Sequence, residues 1–172
     1  MSQTGFDWNP EHPRLLGDLT GDRRADIVGF GPDGVWVALN SGSATFQVPQ
    51  FMAADLGFNN GWRVDKHPRF LADVTGDGRP DIVVNEQEEL LPAGRENPRW
   101  IIWENLGENK FVERIILDTK LGGHELQVGD VDNDGAIDIV SKPWGPRPWN
   151  GNNGQMHVDF LKNLLKAPAT SR

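Results

Sequence analysis

The sequence predicts an all-β fold of repeated antiparallel units, on three observations. One loop pattern, D-x-[TD]-x-D-x-x-x-D followed by Ile-Val, occurs three times, starting at Asp18, Asp73 and Asp130, so an internal repeat organises the chain. Each loop is flanked by short runs rich in Val, Ile, Leu, Phe and Trp, the residues that fit a pleated surface. Between the runs stand Gly, Asp and Asn, which punctuate strands with turns.

The elements follow in the same order in each repeat. A first strand (PRLLGDL, PRFLADV, ELQVGDV) leads into the aspartate loop, a second (DIVGF, DIVVN, DIVSK) leaves it, and a third (VWVALN, WIIWEN, HVDFLKN) closes on Asn40, Asn105 or Asn163. A fourth run, FQVPQFMA or FVERIIL, completes the first two repeats. A four-stranded antiparallel meander is the build of a propeller blade. The predicted chain is therefore one domain of three four-stranded antiparallel blades, with repeats at about 10–57, 62–118 and 121–165 and a flexible tail at 166–172. The third repeat has no fourth run of its own, and a bare sheet edge is something proteins cover. The segment TGFDW, residues 4–8, is the candidate cover, from its own chain or a neighbour. Propellers close with about four to eight blades. The expectation is thus a homodimer that exchanges this segment and closes a six-bladed ring with C2 symmetry. The stretch DFLKNLLK also fits an amphipathic helix, but its alignment with VWVALN favours a strand.

In the third loop Asp130, Asp132, Asp134 and Asp138 occupy positions 1, 3, 5 and 9, with Gly135 at the sharp turn. Like charges this close repel unless a cation sits among them, and oxygen ligands at alternate positions suit calcium. The first two loops offer Asp18, Thr20, Asp22 and Asp26, and Asp73, Thr75, Asp77 and Asp81, at the same spacing. Threonine replaces a carboxylate there, so these sites are expected to be weaker, the first most of all because Arg23 and Arg24 lie within it. The bland alternative is an Asp/Gly-rich hairpin turn with solvated carboxylates. Calcium would act as a structural staple, its binding energy becoming folding energy.

Composition narrows the partners. The 172 residues carry 25 acidic and 17 basic side chains, a net charge of −8, which argues against nucleic acid as a partner. No apolar run approaches the length of a membrane span, and the first residues lack the basic start and apolar stretch of an export signal. The absence of cysteine excludes disulfides, thiolate metal sites and a thiol nucleophile. No G-x-S-x-G elbow or Gly-rich phosphate loop is present, so a binding module outranks an enzyme.

The D-x-[TD]-x-D-G-x-x-D-I-V loop within a four-strand repeat resembles the FG-GAP or VCBS family of calcium-binding β-propellers. Residues 10–84, through HPRLLGDLTGDRRADIVGFGPDGVWVALNSGSATFQ and GWRVDKHPRFLADVTGDGRPDIVV, resemble the mushroom-lectin branch, propellers that bind N-acetylglucosamine between blades. The later WIIWENLGENKF and GGHELQVGDVDNDGAIDIVSKPW are closer to the general family, as in a divergent propeller or a chimera. The resemblance implies a carbohydrate ligand of N-acetylglucosamine type, held near Asn59, Asn60, Trp62, Arg63 and His67. A second candidate lies in the insertion KPWGPRPWNGNNGQ. There Trp144 and Trp149 offer indole faces for a pyranose, and Arg147 with several asparagines offers hydroxyl partners. The same loop is equally read as proline-stiffened, with its tryptophans packed on the blade.

His12, His67 and His124 each precede the first loop aspartate by six residues, at the start of an innermost strand. Converging at the mouth of a central channel, three imidazoles would suit zinc with an open position for water. The plainer expectation is that each caps a backbone turn. Together the residues favour a calcium-stabilised lectin-like propeller. The alternatives are a metal-dependent sugar dehydratase or lyase using the histidine ring, and a chimeric propeller fragment whose property is self-assembly.

Overall fold

The computed structural model describes residues 9–43, 45–87, 97–119, 121, 123–143, 145–146 and 152–165. The TGFDW segment, Trp144, Arg147, Trp149 and the tail at 166–172 lie outside them. All regular structure among them is β, apart from two short 3-10 turns. Two compact units are formed, one by residues 1–65 with 105–112, the other by 66–104 with 113–172.

The first unit holds the first blade: β1 (Arg14–Gly17), β2 (Asp26–Phe30), β3 (Val35–Ala38), β4 (Asn40–Gly42), β5 (Thr45–Phe46) and β6 (Gln50–Ala53). The blade sheet runs β1-β2-β3-β6, and β4 and β5 form a separate hairpin. The predicted fourth run is therefore divided between β5 and β6, with Pro49, which lacks an N–H for the ladder, between them. Val28, Phe30, Val35 and Val37 of the blade are buried, as are Leu56 and Trp62 beyond it. Trp36 meets Phe51 of β6 edge-on, ring centroids 5.1 Å apart.

The second blade has β7 (Arg69–Ala72), β8 (Asp81–Asn85), β9 (Arg99–Asn105) and β10 (Phe111–Asp118), in sheet order β10-β9-β8-β7, and lies in the second unit except for Asn105 and the first two residues of β10. The third blade has β11 (Gln127–Gly129), β12 (Asp138–Ser141) and β13 (Asp159–Leu161), in that order. Among the described residues this blade has three strands rather than the four of the predicted class, because nothing pairs with β13 where β6 and β10 pair in the other sheets. DFLKNLLK is strand up to Leu161 and not helix.

Cross-strand register fixes which blade faces meet in this unit. Phe70, Val83 and Ile102 are direct partners on one face of the second blade. Val128, Ile139 and Leu161 are partners on one face of the third. These two rows, with Val74, Trp100 and Leu126, make a single hydrophobic core. Replacing fully buried Trp100 with alanine is expected to cost about 3–5 kcal/mol. Polar ties join the same blades: Asn85 Nδ2 donates to Ser141 Oγ at 2.9 Å, and Asn163 Nδ2 to the Val74 carbonyl at 2.9 Å.

Candidate functional site

The three aspartate loops share one backbone design. Position 4 (Gly21, Gly76, Asn133) and position 6 (Arg23, Gly78, Gly135) all have positive φ, the region that glycine and asparagine tolerate best. This double left-handed turn aims successive N–H groups inward, and the first aspartate receives them. Asp18 accepts from Gly21, Asp22 and Arg23 at 2.6–3.0 Å, Asp73 from Gly76, Asp77 and Gly78, and Asp130 from Asp134 and Gly135. Burial pushes the Asp18 carboxyl up, but these donors together outweigh it and hold the group below the usual aspartate range.

The ninth-position aspartates are buried and equally committed to backbone. Asp26 Oδ2 accepts from Leu19 N at 2.9 Å and its Oδ1 from Asn40 N at 2.8 Å; Asp138 repeats both bonds with Val131 N and Asn163 N. Asp81 accepts from Val74 N and Thr75 N. Positions 1 and 9 thus hold the loop closed through hydrogen bonds, a role that neither the metal reading nor the solvated-turn reading had assigned them.

The loops differ in what balances the remaining charge. In the first two, an arginine at position 7 folds back on the aspartate at position 5, pairing Arg24 with Asp22 and Arg79 with Asp77. The third has Ala136 there, and Asp132 and Asp134 instead face Lys162 from beyond β13, with Nζ 3.0 Å from Asp134. The Ala136 N–H and then Lys162 hold Asp134 below the usual range, while the two carboxylates raise Lys162. Asp130, Asp132 and Asp138 bring one carboxylate oxygen each within 4.8 Å of one another, the one such group of three metal-competent side chains among the described residues. Hard oxygen donors in that set fit calcium. Asp134, the fourth expected ligand, is outside the group and engaged by Lys162.

The histidines are buried, and the group of metal-competent side chains does not include them. Their backbones take part in turns: His12 N donates to the Asn9 carbonyl and His124 N to that of Lys142, while Arg14 and Arg69 bind the carbonyls of His12 and His67. The His12 ring lies edge-on to Phe58, and His124 Nδ1 lies 3.6 Å from Glu125 Oε1. Burial lowers Arg69 to about 10.

The predicted sugar residues have different surroundings. Trp62 is only 5% exposed, and its indole Nε1 donates to Asp55 Oδ1 at 2.9 Å, so it packs in the core instead of offering a stacking face. His67 belongs to the second unit. Asn59 and Asn60 lie on a 3-10 turn (Phe58–Asn60), where Asn59 Nδ2 donates to Asp33 Oδ1 at 2.8 Å. That turn sits so close to the first blade that a Cβ on Gly57 would come 2.4 Å from Gly34 N. Arg63 remains, its guanidinium 3.8 Å above the Phe58 ring and its Nη1 donating to the Phe58 and Trp62 carbonyls. Arg63 and Phe58 line a cavity of about 260 Å³ with Pro10, Glu11, Val64 and Asp65. Phe58, Glu11 and Asp65 are not among the residues that the sequence pattern singles out, although Phe58 stands directly before Asn59 in GFNNGWR.

Comparison with known proteins agrees with this architecture. The FG-GAP-like repeat profile matches residues 18–84 and 73–141. A solved structure of a lectin from Agrocybe aegerita, described for specific recognition of non-reducing terminal N-acetylglucosamine, is similar with a TM-score of 0.62 and 32% identity. The likeness covers 91% of this chain and 39% of that lectin, so the chain spans about two fifths of its length. No curated protein matches by sequence.

Proposed function

This chain belongs to the FG-GAP-like repeat family, and from that premise we propose that it is a carbohydrate-binding propeller module for glycans ending in N-acetylglucosamine. The observation that carries this is the likeness, at 32% identity over 91% of the chain, to a lectin described for that sugar. The cavity in the first unit has the matching chemistry. Phe58, Pro10 and Val64 give apolar surface for an acetamido methyl and pyranose C–H groups, while Arg63, Glu11 and Asp65 bind hydroxyls. Calorimetric titration with N-acetylglucosamine oligomers tests it. Arg63→Ala is expected to weaken binding at least tenfold without lowering the melting temperature by more than a few degrees, and unchanged affinity would remove the cavity from consideration.

Two finer features belong to the same proposal. Calcium binds the third loop through Asp130, Asp132 and Asp138, displacing Lys162, and acts as a staple for the module. The first two loops carry their own cation in Arg24 and Arg79 and bind calcium weakly or not at all. As a separate polypeptide the three blades pair with a second copy, since repeats of this kind bury their faces only by stacking and rings close with about four to eight blades.

A further inference from the structure

We propose that the second copy docks head to tail, the outer face of the third blade of one chain receiving the first blade of the other. This rests on the self-association reading above and names its surface. Within the second unit one blade-on-blade interface is already formed: the row Phe70, Val83, Ile102 is covered by the row Val128, Ile139, Leu161. The repeat carries both rows forward. On the third blade the counterpart of the covered row is Gln127, Val140 and Phe160, direct cross-strand partners, with Val158 two residues earlier where the second blade has Trp100. Trp100 is buried, whereas Val158 is 67% and Phe160 47% exposed. On the first blade the counterpart of the covering row is Leu16, Ile27 and Ala38, again direct partners, of which Leu16 is 68% exposed, Ile27 half-buried and Ala38 buried. The two rows are complements by the same register that makes the interface inside the chain, and their exposed members are Phe160 and Gln127 on one and Leu16 on the other.

A polar rung repeats along with the apolar rows. The asparagine that ends one blade's third strand donates to the carbonyl at position 2 of another blade's loop: Asn163 Nδ2 to Val74, and Asn105 Nδ2 to Leu19, both at 2.9 Å. Two halves of such a rung are left. Asn40 Nδ2 donates to the Ala25 carbonyl of its own blade, and among the described residues no asparagine reaches the carbonyl of Val131. In the docked pair, Asn40 of one copy meets Val131 of the other. Hydrogen bonds of this kind fix register, while the apolar rows supply most of the association energy. Repeated twice about a two-fold axis, the contact closes a ring of six blades and leaves no heterologous face open to continue into a filament.

The test is mass by light scattering and sedimentation on the 172-residue chain. The wild type is expected at twice the 19.1 kDa chain mass. Phe160→Asp and Leu16→Asp, both at exposed positions, are expected each to give single chains with unchanged far-UV circular dichroism. Gln127→Lys combined with Leu16→Glu is expected to restore the pair through an ion pair across the contact, since inside the chain the innermost strands β7 and β11 of the two packed blades meet. A wild type that stays single overturns self-association altogether. A wild-type pair that survives both aspartate variants overturns this surface while leaving self-association standing, and a Lys/Glu chain that remains single overturns the matching of these two rows.

Discussion

The first two repeats and the third fold one nine-residue loop in the same way yet settle its charge differently. In all three, aspartates at positions 1 and 9 gather the inward-pointing N–H groups of the turn and of the neighbouring strand ends. In the first two, Thr20 or Thr75 at position 3 goes with Arg24 or Arg79 at position 7; in the third, Asp132 goes with Ala136. The lesson is that positions 1 and 9 close the loop in every repeat, while positions 3 and 7 go with where its counter-charge comes from, an arginine of the loop itself in the first two and Lys162 from beyond β13 in the third.

The strongest way to break this comparison is at position 9. Asp26→Ala and Asp138→Ala each strand two backbone N–H groups, buried or partly buried, that had a charged acceptor, and in chelator each is expected to cost about 3 kcal/mol in urea denaturation. Near-equal losses there mark a shared structural role; a loss confined to one repeat would contradict it. Next in size is calcium itself. Ion present at 100 times its Kd stabilises by about 2.7 kcal/mol, so chelator is expected to lower the wild-type melting temperature. Asp132→Ala is expected to melt alike with and without chelator, whereas Asp22→Ala keeps the response.

A smaller effect lies at position 6, where Arg23 holds the left-handed conformation that Gly78 and Gly135 take in the other repeats. Arg23→Gly is expected to stabilise by up to about 1 kcal/mol in the same denaturation assay. The smallest effect concerns the third blade's edge strand, where Asp159 stands in place of Trp36 and Ile101. Burial raises its carboxyl above the usual value, against the opposing influence of His157, so its ionised form opposes folding. Its contribution is favourable below the ordinary aspartate value and lost as pH rises through the raised one. Asp159→Asn is therefore expected to raise the melting temperature slightly at pH 7 and leave it unchanged at pH 3.

Much of the architecture was legible because the repeat carried it. Strand order and the Ile-Val exit from each loop follow from alternation and turn residues. The site was less legible. A run of aspartates shows charge but not its partners, and the backbone N–H groups that occupy Asp18 and Asp138 exist only once the turn is folded. Lys162 lies 28 residues beyond Asp134 and meets it only through the pairing of β12 with β13. Trp62 misled for a related reason: whether a loop tryptophan is exposed depends on the folded surroundings, and here it is buried with its indole N–H on Asp55.

The most direct test of the difference between the repeats is the number of calcium ions bound per chain, measured by isothermal titration of the chelated protein. One ion per chain, lost in both Asp132→Ala and Ala136→Arg, is the expected result. Three ions per chain, or one that survives Ala136→Arg, would contradict the division of labour between positions 3 and 7.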